Sequence, residues 1–132
     1  MTRGDVIAMC MARHSIRVHR DDVKFKHYAV GIGANGVYLG VNRIIGPNFT
    51  LIKRGYKYFP ENSTMHMHAE VDALEMASLR RDTIRKMFIL RINNTGGLRN
   101  ATPCGVCMQL MREHGVREID VTLLDEWFTR FV

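Results

Sequence analysis

Two short motifs, His68-Ala69-Glu70 and Pro103-Cys104-Gly105-Val106-Cys107, constrain this 132-residue chain more than anything else in it. His68 and Cys104 are 36 residues apart, yet the two motifs hold complementary chemistry. One imidazole and two thiols are the borderline and soft donors that suit zinc, and the carboxylate of Glu70 is left over. A fold that uses them together has to bring two distant segments to one point. Three protein ligands leave a fourth tetrahedral position for water, the pattern of a catalytic zinc site and not of a closed structural one. Glu70, two residues from His68, then stands where it can move protons to and from that water.

Local patterning puts both motifs at helix starts. Residues 68–81 read as a helix with Val71, Leu74 and Ser78 on one face, and residues 104–113 as another, preceded by Pro103 and ended by Gly115. Cys104 and Cys107 are three apart, so both thiols leave the same face of a first turn. Unpaired N–H groups and the positive end of the helix dipole favour thiolates there. Two other readings of these residues stand beside this one. A C-x-x-C pair alone fits a thioredoxin-like redox dithiol, although such a dithiol has no use for a distant His-Ala-Glu. His66 is the residue that would complete a four-ligand structural zinc site.

The rest of the chain predicts a mixed α/β protein. Thr2-x-x-Asp5 resembles a capping box, and Ile7, Cys10, Met11 and His14 recur at helical spacing, with Cys10 a buried small hydrophobe. Residues 15–25 are polar and read as loop. Two apolar, β-prone runs at 27–33 and 37–42 flank Ala34-Asn35-Gly36, a hairpin signal, and the glycines at 31, 33 and 40 mark close approach of other elements. Residues 87–92 and 118–124 read as strands on either side of the second motif helix, which implies a parallel pair. Residues 127–132 fit a short edge strand or a docked tail. Residues 43–67 have no clear period, and a loop of that length in a compact domain is usually functional or mobile.

Charge is unevenly spread. The formal net charge is +6, and residues 23–60 alone carry all of that excess: Lys24, Lys26, Arg43, Lys53, Arg54 and Lys57, with no acid. Such a segment attracts phosphate, on a nucleotide or on a nucleic acid, unless it is only a solvated basic face. With Phe49, Tyr56, Tyr58 and Phe59 in the same stretch, residues 43–59 are expected to fold over a pocket mouth, with Lys53, Arg54 and Lys57 as phosphate donors. No apolar run approaches the ~20 residues that span a bilayer, and the charged N-terminus is unlike a signal peptide. Three cysteines are too few for a disulfide framework, so a soluble cytoplasmic protein without a membrane partner is expected.

From about Lys26 to Leu123 the chain resembles the zinc-dependent cytidine/deoxycytidylate deaminase superfamily. The H-x-E and P-C-x-x-C motifs are its signature. His68-Ala-Glu-Val-Asp-Ala-Leu74, Ile89-Leu-Arg-Ile-Asn-Asn94, Thr102-Pro-Cys-Gly-Val-Cys107 and Gly115-Val-Arg-Glu-Ile119 look like small single-domain viral and bacterial deoxycytidylate deaminase-like proteins. The resemblance implies one deaminase domain over residues 1–132, a three-layer α/β/α sandwich with a mixed four- or five-stranded sheet, and zinc on His68, Cys104 and Cys107 with Glu70 catalytic. Gly40-Val41-Asn42 resembles the family's G-x-N, so Asn42 is implied to bind substrate, against the plainer reading of a turn asparagine. Ala69 and Thr102 are implied to line the base pocket, and a homo-oligomer in a bacterial or virus-infected cell is implied as well. The 43–67 segment lacks the clear extra His and Cys ligands of relatives with a second zinc, and the long C-terminal helix of the tRNA adenosine deaminases is missing. The expected reaction is conversion of a cytosine nucleotide, dCMP first, to the uracil nucleotide. A base deaminase acting on RNA or single-stranded DNA is the alternative, and a non-catalytic nucleic-acid-binding protein that keeps the zinc fold is the third reading, which the intact Glu70 opposes.

Overall fold

The computed structural model describes residues 1–18, 26–44 and 66–132. The elements are α1 (Arg3–Arg17), β1 (Lys26–Gly33), β2 (Val37–Val41), β3 (Arg43–Ile44), β4 (His66–Met67), α2 (Ala69–Leu79), β5 (Ile84–Ile92), β6 (Leu98–Arg99), α3 (Gly105–His114), β7 (Glu118–Leu123) and β8 (Glu126–Phe131). The main sheet runs β2-β1-β5-β7-β8, and the two-residue β6 pairs with β5 as a sixth strand. Strands β5 and β7, on either side of α3, are parallel as expected; every other pairing is antiparallel. Residues 127–132, left between two readings, form most of the edge strand β8.

Side chains alternate across the sheet and divide the core in two. On one face Ala29, Met87, Ile89, Ile119 and Val121 meet α2 and α3. On the other, Tyr28, Val30, Phe88, Leu90 and Ile92 meet Val6 and Cys10 of α1. This is the α/β/α layering. The alternation slips near the start of β5, where the pairing shifts between Ile32 and Gly33, so that Ile84 and Met87 share a face although they are three apart.

Local rules act where they were expected. Thr2 caps α1 through a full capping box with Asp5, and Gly115 takes the left-handed conformation (φ 107°) that ends α3. The Ala34-Asn35-Gly36 turn closes with Gly33 N–H donating to the Gly36 carbonyl at 2.9 Å. Asp82 fastens the same turn, accepting from the Ala34 and Asn35 backbone and from the Tyr38 hydroxyl.

Three local readings need correction. Helix α1 runs to Arg17 where a loop from residue 15 was expected, because His14 and Arg17 are buried with tertiary partners that local polarity does not reveal. The His14 ring bonds the Tyr28 hydroxyl, and the Arg17 guanidinium lies 5.2 Å from the Tyr28 ring centroid. Strand β5 starts at Ile84 instead of 87. Ser78 is exposed, and Ala77 takes the buried position near Leu74.

The contact that positions the site is between β2 and α2. A Cβ on Gly40 would stand 2.2 Å from the Ala69 carbonyl oxygen and 2.6 Å from the Ala73 nitrogen. Both are backbone atoms, so only glycine lets the strand lie this close to the helix. Asp72 tightens the same contact, accepting from the Val41 N–H and the Arg43 guanidinium, each at 3.0 Å. Gly40→Ala is therefore expected to lower stability by roughly 1–3 kcal/mol or more through overpacking against backbone. Gly105→Ala, with nothing within 4 Å of the new Cβ, is expected to cause no loss. Urea midpoints of the two variants check this.

Candidate metal centre and active site

His68 is the N-cap of α2 and Cys104 the N-cap of α3. Neither side chain continues a helix, so both are free to leave the backbone at the helix starts. The His68 side chain makes no capping bond. Cys104 Sγ accepts the Cys107 N–H at 3.4 Å, which fixes the thiol at the first turn. The ligand atoms of His68, Cys104 and Cys107 all lie within 4.8 Å of one another. His68 Nδ1 is 3.2 Å from Cys107 Sγ and 3.8 Å from Cys104 Sγ. A tetrahedral zinc with bonds of about 2.0–2.3 Å sets its ligand atoms about 3.5 Å apart, so this donor set fits zinc. The described side chains supply three donors. The backbone of His66 lies in β4, and its side chain is outside the described residues, as are Lys53, Arg54 and Lys57.

Electrostatics at the group are those of two thiols and an imidazole competing for protons. Hydrogen bonds from Cys107 and then His68 hold the Cys104 thiol down to about 3. Cys107 moves the other way, raised by its hydrogen bond to Cys104 and by burial. One thiolate is thus already in place, and a divalent cation in the group favours the second. The bond to Cys104 raises the His68 pKa. Cys10, by contrast, is buried away from the group, and burial pushes its thiol up to about 12, so it is inert.

Beside the group opens a cavity of about 290 Å³, lined by His27, Asn42, Arg43, Met67, His68, Ala69, Glu70, Ala101, Thr102 and Cys104. Glu70 is buried, in hydrogen-bond contact with Cys107, and burial raises its carboxyl above the usual carboxylate range against the pull of His68. Asn42 receives the His27 backbone N–H on its Oδ1 at 2.8 Å, which sets the orientation of its amide. Thr102 is at the rim, its hydroxyl donating to Asn100 Oδ1 at 2.7 Å. The Ala101 N–H donates to the Thr122 carbonyl at 2.9 Å and so ties the approach to Cys104 onto β7. The structure thus brings together His68, Glu70, Cys104, Asn42, Ala69 and Thr102 around one cavity, with Cys107 joined through the donor group.

Sequence reasoning missed His27, Asp72 and Asn100. His27 was legible in principle: it lies two residues before Ala29, and Ala29 faces α2, so period-2 alternation aims His27 the same way. Asp72 had no signal, because its partners, the Val41 N–H and the Arg43 guanidinium, come from another segment; Asn100 was legible in principle, since it accepts from the N–H and hydroxyl of Thr102 two residues on, a local side-chain turn.

No curated protein matches the chain in sequence. Among solved structures, the cytidine deaminase from Burkholderia pseudomallei superposes with a TM-score of 0.65 at 19% identity, over 99% of this chain and 93% of that one. The cytidine deaminase from Mycobacterium leprae superposes with a TM-score of 0.56 at 18% identity, over 98% of this chain and 94% of that one. These likenesses establish the fold. A family model described as the cytidine and deoxycytidylate deaminase zinc-binding region matches residues 8–123. With the donor group and the cavity already described, that match identifies the chain as a member of this family, a zinc-dependent deaminase and hence a hydrolase.

Proposed function

We propose that the protein hydrolyses the exocyclic amine of a free cytosine nucleotide, dCMP first, releasing ammonia and the uracil nucleotide. The observation that carries the reading is the buried Glu70 carboxyl in the wall of the cavity that also exposes His68 and Cys104. We assign His68, Cys104 and Cys107 as zinc ligands. Zinc, when bound, supplies a water acidified toward neutral pH and stabilises negative charge developing on oxygen. Glu70 then moves protons: it takes one from the attacking water, gives it to ring nitrogen N3, and helps the amine leave as ammonia. Water and cytosine are consumed; uracil and ammonia account for every atom. The Asn42 amide, turned by its bond to His27, holds the substrate, and Ala69 and Thr102 bound the base.

The nucleotide preference is supported by the acid-free stretch of residues 23–60, within which Arg43 lines the cavity. A homo-oligomer is supported by the exposed Phe128 and Phe131 on β8. Free thiols at Cys10, Cys104 and Cys107 suit a reducing cytoplasm, and no helix among the described residues is long and apolar enough to cross a membrane.

Three outcomes test the reading. Elemental analysis of His68→Ala and Cys104→Ser should find zinc lost, whereas the unaltered chain holds one equivalent; full occupancy in either variant removes the ligand assignment. Glu70→Ala should keep zinc and fold yet lose about 10²–10⁴-fold or more in kcat, measured by ammonia release; loss of zinc there would instead make Glu70 a ligand. In a panel of cytosine nucleosides, nucleotides and single-stranded oligomers, dCMP should be turned over far better than deoxycytidine. Tight oligomer binding that weakens with a slope of about −0.7 in log K against log salt per phosphate would favour the polynucleotide reading.

A further inference from the structure

The His27 ring, a polar group of the cavity wall, has no part in the scheme above. His27 stands at the start of β1, directly across from Asn42, in the wall that faces the start of α2. Its backbone is held on three sides. Its N–H donates to Asn42 Oδ1 at 2.8 Å, its carbonyl accepts the Asn42 N–H at 3.2 Å, and Arg17 donates from the far face of the sheet to the same carbonyl at 3.4 Å. Arg17 also donates to the Asn42 carbonyl, so one buried guanidinium fixes both residues. The ring is in a different position. Among the described residues neither imidazole nitrogen has a hydrogen-bond partner, neither is among the fully buried polar atoms left without one, and the residue lines the cavity. A rigid backbone that holds an unpartnered polar ring in the wall of a cavity sets up a bond for a ligand to complete.

We propose that His27 is a substrate-contacting residue whose ring hydrogen-bonds an oxygen of the bound nucleoside, either the base carbonyl or a sugar hydroxyl. Burial first, then the positive charge of Arg91, holds the ring down to about 4, so it is neutral near pH 7. A neutral imidazole carries one donor and one acceptor, which suits a carbonyl or a hydroxyl and gives no charge to a phosphate. Arg17 is the positioning residue behind it. The inference rests on the deaminase reading of the same cavity and adds a recognition element on the side of β1.

Steady-state kinetics of zinc-loaded His27→Phe test it, since phenylalanine keeps the ring's shape and removes both nitrogens. The expected result is KM raised about tenfold on deoxycytidine or dCMP, kcat within about twofold, and zinc content and melting temperature unchanged. His27→Asn should recover part of the loss. On the 5′-monophosphate of dideoxycytidine, which has no free sugar hydroxyl, a penalty that persists marks the base carbonyl, and one that vanishes relative to dCMP marks the 3′-hydroxyl. A wild-type KM in His27→Phe overturns the proposal. Should the variants misfold, the ¹⁵N shifts of the His27 ring in the native protein decide: they should move when deoxyuridine is added, and unmoved shifts at saturation overturn it. A native protein with full zinc that deaminates no cytosine compound would fail the substrate reading instead, and the ring titration would still report on nucleoside contact.

Discussion

The site depends on how closely α2 can lie against the sheet. His68 caps this helix and Glu70 sits in its first turn, so wherever the helix is placed, the imidazole and the carboxyl follow. Gly40 lets the backbone of β2 approach Ala69 and Ala73 at a distance no side chain allows, and Asp72 fastens the pair through the Val41 N–H and Arg43. Helix α2 is accordingly buried on all sides over its first six residues, Ala69 to Leu74. With α2 fixed, α3 packs beside it and brings Cys104 and Cys107 to His68. The glycine and the asparagine of Gly40-Val41-Asn42 thus serve one purpose: the first permits the contact, and the second lines the cavity that the contact creates.

Electrostatics inside the cavity follow from that burial. Glu70 and His27 are both taken out of water, and each is shifted toward its neutral form, the carboxyl upward and the imidazole downward. The thiols respond to each other first; after that Cys104 answers to the imidazole and Cys107 to its own burial. Positive charge is supplied at the edges. Arg43 stands in the cavity wall, ion-paired to Asp72, and Arg17 lies behind the sheet against Tyr28.

Several features were legible in the residues themselves because their causes are local. The capping box at Thr2 and Asp5, the Asn35-Gly36 hairpin, the left-handed Gly115 and the start of both motif helices all rest on preferences of neighbouring residues. The polar end of α1 was not legible: residues 15–17 look like loop until Arg17 lies over the Tyr28 ring. His27 was hidden for a related reason. A histidine at the start of an apolar strand gives no sign of function until the face it shares with Ala29 is known to carry the cavity. The register slip at Ile32 and Gly33, which re-aims Ile84, has no sequence signal, because it depends on how two distant strands align.

The sequence by itself determined the chemistry. Two helix starts carrying one imidazole, two thiols and one carboxylate admit few uses, and their spacing matches a zinc deaminase, as the family match over residues 8–123 bears out. It also determined the alternation that divides the core between the two faces of the sheet. Only the tertiary structure decided which cavity that chemistry opens onto. Asn42, His27, Thr102 and Glu70 come from four separate segments, and their shared cavity is a product of packing distances. Those distances are set by pairs of residues far apart in the chain, Gly40 with Ala69, Asp72 with Arg43, Arg17 with Asn42, and no local pattern records who a residue's distant neighbour is.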